Sequence, residues 1–365
     1  MIKQLKKFTV QMIAGANIAT IIVTCLIGYS DRLSPADHPV LSCVGMTFPL
    51  FLLANLLFLC FWLVFKFRMI WIPILGFILS YVPINIYMPL NLKGADVPEG
   101  AIKLISYNVC EYGGNYKYEQ GFEKIRDYLF EEDPDIVCLQ EDVDTWRRYC
   151  FKHYEKHFAY NDTVHFVHSD LNTNGVGIHT RFPIIRRERI PYRSSSNGSV
   201  AWYLQVGKDT LLVINNHFEG THLSLEEREA YQGIIKGEMK GDTVRKESKK
   251  LLVTLAESAS RRAPQIEKVC RYIEEHRQYP ILLCGDFNDT PISYSRHKMA
   301  KTLNDCFVST GKGLGLSYNQ NGFHFRIDHV FCSDDITPYN CKIDSKIDAS
   351  DHYPIICWLK IGGKD

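Results

Sequence analysis

Acidic residues are almost missing from the first quarter of this chain: residues 1–95 contain two, Asp31 and Asp37, of a total of 41. Basic residues are scarce there too, seven of 42, at Lys3, Lys6, Lys7, Arg32, Lys66, Arg68 and Lys93. So little charge sets this stretch apart from the rest and divides the chain near Asn91. The remainder lacks something else, an excess of positive charge, since it holds 35 of the 42 basic and 39 of the 41 acidic residues. Non-specific attachment to nucleic acid depends on basic residues that release counterions. Only a local patch such as Arg245 to Lys250 keeps that option open. Zinc-type spacing is missing as well: there is no CxxC pair and no Cys/His cluster. Nine of the twelve cysteines lie beyond residue 95, an odd number that cannot all pair within one chain. Cys138, Cys284, Cys332 and Cys357 fall in or beside apolar runs, where a thiol behaves as a small buried hydrophobe. Disulfides stay open and unassigned.

What the front does contain is long apolar sequence. Phe8 to Tyr29, Leu41 to Phe65 and Met69 to Leu90 each reach the roughly 20 residues needed to cross a hydrocarbon core, so residues 1–95 read as three transmembrane helices. Three such runs in succession, without a small-residue cleavage site, argue against a secretory signal peptide. Pro73, Pro83 and Pro89 weaken the third run as a soluble helix, but breaks are tolerated in a membrane when neighbours satisfy the freed carbonyls. Lys3, Lys6 and Lys7 place the N-terminus on the cytoplasmic side, as do Lys66 and Arg68 for the second turn. An odd number of crossings then delivers residues 96–365 to the outer side, the periplasm if the host is a bacterium.

Residues 96–365 alternate short β-rich runs with amphipathic stretches and have the bulk for a layered core. Expected strands are Ile102 to Val109, Ile136 to Gln140, Gly175 to Thr180, Ala201 to Val206, Thr210 to Asn215, Ile281 to Cys284, His329 to Cys332 and Ile355 to Leu359. Expected helices are Gly121 to Glu132, Leu225 to Met239 and Pro264 to His276. The charged interval from Gly237 to Lys250 reads as a solvated helix face or loop, with a substrate-binding patch as the alternative.

Polar side chains collect where these apolar runs end. Gly285-Asp286-Phe287-Asn288 follows Ile281 to Cys284 and by itself is a good turn sequence. Asn108 ends the first run, Glu141 follows Leu139-Gln140, and Asn215-Asn216-His217 closes Leu211 to Ile214. Arg326-Ile327-Asp328 leads into one late run and Ser350-Asp351-His352 into another. A carboxylate such as Glu141 or Asp351 suits a hard cation, Mg²⁺ or Mn²⁺. An imidazole needs an acid to fix its tautomer, and Asp328 is available to His352. Such a set activates water and neutralises phosphate charge.

In this order and spacing the motifs resemble the endonuclease/exonuclease/phosphatase superfamily over residues 100 to about 360. Gly175-Val176-Gly177-Ile178, Arg181-Phe182-Pro183-Ile184 and Arg262-Ala263-Pro264-Gln265 add to the likeness. The resemblance implies a four-layer α/β sandwich, two packed mixed β-sheets flanked by helices, and a phosphoesterase that uses Mg²⁺ or Mn²⁺. It implies Glu141 as main metal ligand with Asn108 and Asp351 close to the ion. It makes His352 the base or electrostatic partner supported by Asp328, and Asp286 the orienter of water. Asn288 donates to a phosphoryl oxygen. His217 contacts phosphate or protonates the leaving group, with Asn215 beside it. The substrate is a phosphoester, either nucleic acid or a phospholipid head group, and no obligate protein partner is implied. Two departures stand out: the long segment Glu219 to Ser260, where substrate-defining loops are replaced, and Val109, where repair nucleases of the superfamily often carry an acid. The leading reading is a membrane-anchored, metal-dependent phosphodiesterase. Its alternative is a catalytically silent scaffold of the same fold, which has no chemical need for Glu141, Asp286, Asp328, Asp351 and His352 together. An unrelated α/β binding domain with coincidental turns is the third.

Overall fold

Apolar sequence becomes helix in the first quarter of the chain. The computed structural model describes residues 2–92, 94–113, 120–142, 152–169, 172–194, 196–320 and 322–362. Helix α1 spans Ile2–Gly28, α2 Phe48–Phe65, α3 Trp71–Leu79 and α4 Tyr81–Tyr87. With the turns at their ends, Ile2–Arg32 and Pro39–Phe65 are long and apolar enough to cross a membrane. The third expected span is instead bent by 63° between α3 and α4. Pro83 has no N–H for the Leu79 carbonyl and its ring crowds it, so the helix breaks there. That carbonyl accepts the Tyr29 hydroxyl at 3.1 Å. The helices approach closely through Gly76, where a Cβ would lie 2.6 Å from Ile21. Asn17 donates to Asn55 and accepts from the Trp62 indole, each at 3.1 Å, so both polar atoms of this buried side chain find partners.

Strands begin at Ile102. They are β1 (Ile102–Asn108), β2 (Ile136–Gln140), β3 (Tyr160–Ser169), β4 (Asn172–Thr180), β5 (Ile184–Ile190), β6 (Gly198–Val206) and β7 (Asp209–His217). Then follow β8 (Ile281–Asp286), β9 (Asn304–Asp305), β10 (Tyr318–Gln320), β11 (Phe323–Phe325), β12 (Asp328–Cys332), β13 (Ile336–Ile343) and β14 (Ile355–Ile361). One six-stranded sheet has the order β13-β14-β1-β2-β4-β3 and a second β5-β6-β7-β8-β12-β9, with β10 and β11 a separate hairpin. Each sheet is mixed: β1 runs parallel to β2 and β7 to β8, while the other pairs are antiparallel.

Leu104, Cys138, Val176, Val213, Cys284 and Val330 fill the space between the sheets. The intervening residues face outward, Ile105 and Val137 onto helix α5 (Gly121–Glu132) and Leu212 and Leu283 onto the later helices. This is the expected four-layer sandwich, produced by the period of two along each strand. Beyond β7 come α6 (Leu225–Ile235), opened by a capping box of Ser224 and Glu227, and α7 (Asp242–Glu275). Helix α7 has 34 residues, so Pro264 lies inside it rather than opening it. The charged interval supplies the turn before α7 and its exposed first turns.

The helical region and the sandwich touch on two sides. The turns between α1 and α2 reach α7, where the Ser260 hydroxyl donates to the Pro35 carbonyl at 3.0 Å. The segment after α4 is held by the Asn91 amide, which donates to the carbonyls of Val308 and Gly311 at 3.1 and 2.8 Å.

Candidate active site

The alternation that builds the core also builds the site. Leu104 faces the other sheet, and so do Ser106 and Asn108 further along β1; the same continuation leads from Cys138 to Gln140, from Val213 to Asn215 and His217, and from Cys284 to Asp286. Register aligns the ends: His217 pairs with Asp286, and Asp286 with Asp328. Polar groups therefore meet at one rim of the sandwich, at the end of its apolar interior.

Asn108 joins the two halves. Its amide nitrogen donates to Glu141 Oε1 at 3.0 Å and to Asp286 Oδ2 at 3.1 Å, while its oxygen accepts from the Cys110 N–H at 3.0 Å. Glu141 adopts φ 55°. Left-handed backbone costs a non-glycine residue about 1–2 kcal/mol. The next residue holds that turn, as the Asp142 carboxylate accepts the hydroxyls of Tyr112 at 2.8 Å and Thr163 at 2.6 Å. Burial, reinforced by the negative charge of Asp351, pushes Glu141 up to about 7.

His352 is buried, and its Nδ1 lies 2.8 Å from Asp328 Oδ2, leaving Nε2 3.7 Å from Asp286 Oδ2. Burial works against the charged imidazole, but the carboxylates of Asp328 and Asp286 outweigh it and hold its pKa well above the usual range. The loop is fixed by Ser350, whose hydroxyl donates to the Asn108 carbonyl at 2.7 Å. The Tyr318 ring meets His352 edge-on at 5.1 Å. His217 Nε2 lies 3.8 Å from Glu141 Oε1 and 3.7 Å from Asp286 Oδ2, and burial lowers its pKa. Its Nδ1 faces the Asn174 amide at 3.3 Å.

Gly285 has φ 133°, and a Cβ there would lie 1.9 Å from the Asn216 carbonyl oxygen, so only glycine lets β8 lie this close to β7. Asp286 then receives the Asn288 N–H at 2.7 Å and burial raises its pKa. Asn288 takes φ 51° and lines the cleft, its amide donating to the Phe218 carbonyl at 3.1 Å and to Asp286 at 3.2 Å.

The structure brings together Asn108, Glu141, His217, Asp286, Asn288, Asp328, Asp351 and His352. Asn215 lies apart from the cleft. Its amide donates to the carbonyls of Leu139 and Gly177 at 2.8 and 3.0 Å, and its oxygen accepts from Gln140 at 2.6 Å, tying one sheet to the other. A cleft of about 400 Å³ covers the site. Its walls include Arg262, from a motif that added to the family likeness, and residues that sequence reasoning missed: Glu111, Asn174, Arg228 and, from the turns between α1 and α2, Ser42, Cys43 and Met46. Of these, Glu111 alone carried a signal, being an acid just past the first polar strand end.

Among the described residues, two donor sets at this site could hold a cation. Asp286, Asp328 and His352 offer ligand atoms within 4.8 Å of one another. Glu141 and Asp351, with Asn108 beside them, offer hard oxygen alone and reach the cleft. The first set is already bonded internally through the His352–Asp328 contact. The second suits Mg²⁺ or Mn²⁺, which favour carboxylate oxygen and keep several waters.

A model of the Endonuclease/Exonuclease/phosphatase family matches residues 105–352, and a Domain of unknown function (DUF8431) matches residues 10–87. No curated protein matches. Among solved structures, an endonuclease/exonuclease/phosphatase family protein from Leptotrichia buccalis is similar with a TM-score of 0.52 at 13% identity, over 72% of this chain and 100% of that one. The endonuclease/exonuclease/phosphatase from Bacteroides vulgatus gives 0.51 at 13%, over 72% and 100%. The catalytic domain of human Nocturnin, with bound sulfate, gives 0.51 at 14%, over 74% and 96%.

Proposed function

Because this chain belongs to the endonuclease/exonuclease/phosphatase family, we propose that it is a membrane-anchored, divalent-metal-dependent hydrolase of phosphoesters, phosphodiesters above all. The observation that carries the reading is the double donation of Asn108 to Glu141 and Asp286, which locks a cation-type carboxylate beside the His352–Asp328 pair. Glu141 and Asp351 would hold the ion, with Asn108 orienting Glu141. Bound there, Mg²⁺ or Mn²⁺ supplies positive charge against the phosphoryl oxygens and the leaving oxygen.

The chain's own groups do the rest. Asp328 holds His352 by Nδ1 and turns Nε2 to the cleft: the charged ring that the carboxylates favour donates to a phosphoryl oxygen, and the ring takes the water proton only from its neutral form. Asp286, fixed by Asn108 and by the Asn288 N–H, orients the water. The water oxygen bonds to phosphorus, one P–O ester bond breaks with its electron pair on the leaving oxygen, and that oxygen takes a proton. His217 stands where it can give that proton or contact phosphate, and Asn288 would give its amide to a phosphoryl oxygen by exchanging its bond to Asp286 or to Phe218 for one to the substrate.

The anchor reading rests on α1 and α2 and on the bent α3–α4 pair as a third crossing. The turns after α1 and the segment after α4 both meet the sandwich, as an odd number of crossings requires. With Lys3, Lys6, Lys7, Lys66 and Arg68 inside, the sandwich lies outside. The test is hydrolysis of bis-p-nitrophenyl phosphate by the full chain in detergent. Turnover is expected with Mg²⁺ or Mn²⁺ and should stop in EDTA. Undiminished turnover in EDTA refutes the metal dependence; metal-dependent ligand binding without turnover leaves the silent scaffold.

A further inference from the structure

One side of the catalytic cleft is made by the N-terminal helical domain. Ser42, Cys43 and Met46, from the turns between α1 and α2, line the same cavity as Glu141, His217 and His352. These turns are built in. Gly45 packs so tightly that a Cβ would lie 2.0 Å from the Ile292 carbonyl oxygen, and Ile292 shares a buried apolar cluster with Ile27, Phe48 and Tyr87. His297 Nδ1 lies 3.1 Å from the buried Asp31 Oδ2. On the other flank the Arg326 guanidinium donates to the Ile86 carbonyl at 2.6 Å, at the end of α4, where helix carbonyls have no partner of their own. The helical domain is thus fastened to the sandwich around the cleft.

The cleft is chemically two-sided. Its floor carries the carboxylates and imidazoles, whereas Met46, Leu223, Leu255, Ala259, Phe323 and Phe325 give it an apolar wall. Covering apolar surface is favourable in proportion to the area removed from water, so a ligand with an apolar part gains from this wall and a fully polar one does not. Phe323 already has one ring face stacked on Tyr231 at 3.8 Å, which leaves at most its other face to a ligand. The wall also continues towards apolar surface: Leu50 and Leu53 of α2, just beyond Met46, are 66% and 53% exposed.

We propose that the helical domain is part of the active site, with residues 42–46 forming a wall that receives the apolar portion of a lipid phosphoester. The substrate class is then bilayer phospholipid and not nucleic acid. This deepens the hydrolase reading and rests on it.

The test uses the full chain in lipid nanodiscs. Met46→Arg puts a charge into the apolar wall, and Met46→Leu keeps it apolar. Expected is a fall in kcat/KM for long-chain phosphatidylcholine that is about tenfold larger than the fall for bis-p-nitrophenyl phosphate, the scale on which apolar pockets discriminate, with recovery in Met46→Leu. Separately, in EDTA and detergent, dihexanoyl-phosphatidylcholine should slow the modification of Cys43 by methyl methanethiosulfonate, followed by peptide mass mapping. Equal losses on both substrates with an unprotected Cys43, or turnover of an oligonucleotide but not of lipid, overturn the proposal while leaving the hydrolase intact. Protection of Cys43 without turnover of any phosphoester upholds the wall and overturns the hydrolase.

Discussion

Where the first sheet meets the cleft it offers Glu141, with 28% of its side chain exposed, and the half-buried Asp351; the second offers Asp286, Asp328 and His217, exposed by 2%, 1% and 6%. Both sets are built on acids near strand ends, with an imidazole added in the second, yet the first is partly open to solvent and the second is almost closed to it. Groups that exchange an ion or its waters need access. Groups that orient a proton need rigidity, which burial and hydrogen bonds supply. His352 stands between, belonging to the first sheet by sequence and to the second by its bond to Asp328.

The sharpest way to break this division is at that join. His352→Ala should lower phosphodiester turnover by about 10²-fold or more, the scale of a lost general acid or base; a mutant as fast as the wild type removes His352 from the chemistry. Next is Asn108→Ala, which frees Glu141 from the buried half. Loss of such an orienting partner should weaken Mg²⁺ dependence or activity about 10- to 100-fold, read as the Mg²⁺ concentration for half-maximal turnover. No change there would mean that the halves act independently.

Asn215→Ala probes the buried half without touching the cleft. It leaves Gln140 and two strand carbonyls short of partners and should cost about 1–3 kcal/mol of stability, measured by thermal unfolding, with KM unchanged. A raised KM at unchanged stability would return Asn215 to the substrate. The smallest effect concerns Asp305 at the edge of the second sheet, paired with Arg296 at 2.9 Å. Burial disfavours its charge, but Arg296, with His329 and Arg326, wins and holds its carboxyl below the ordinary range. Its contribution is full above the unfolded Asp pKa of about 3.9 and is lost as pH falls through the lower folded value. Between pH 5 and pH 3 the wild type should lose more melting temperature than Asp305→Asn; parallel losses would show the pair to be inert.

The same contrast of inside and edge explains what the sequence disclosed. Central strands such as Ile136 to Gln140 and Ile281 to Asp286 are buried on both faces and read as continuous apolar runs ending in polar residues. Of the strands without a counterpart among the expected ones, β10 and β11 form the short separate hairpin, and β3, β5, β9 and β13 lie at sheet edges. There β5 carries Arg186, Arg187, Glu188 and Arg189, and β13 carries Pro338 and a bulge, features that protect an edge and disguise a strand. Helix α7 was half visible because Pro264 resembles a helix opener. The site's polar strand ends were legible as chemistry, since each stands beside its own apolar run. Met46 and Cys43 were not, because nothing local in residues 42–46 tells of a cleft whose other walls come from Glu111 to His352.

Gly285 has a consequence for how this protein can vary. With the Asn216 carbonyl occupying the place of a side chain, any replacement would part β7 from β8 and carry Asp286 away from Asn108. In a library randomised over residues 281–288 and selected for activity, the apolar positions should drift among similar residues. Position 285 should return glycine and nothing else.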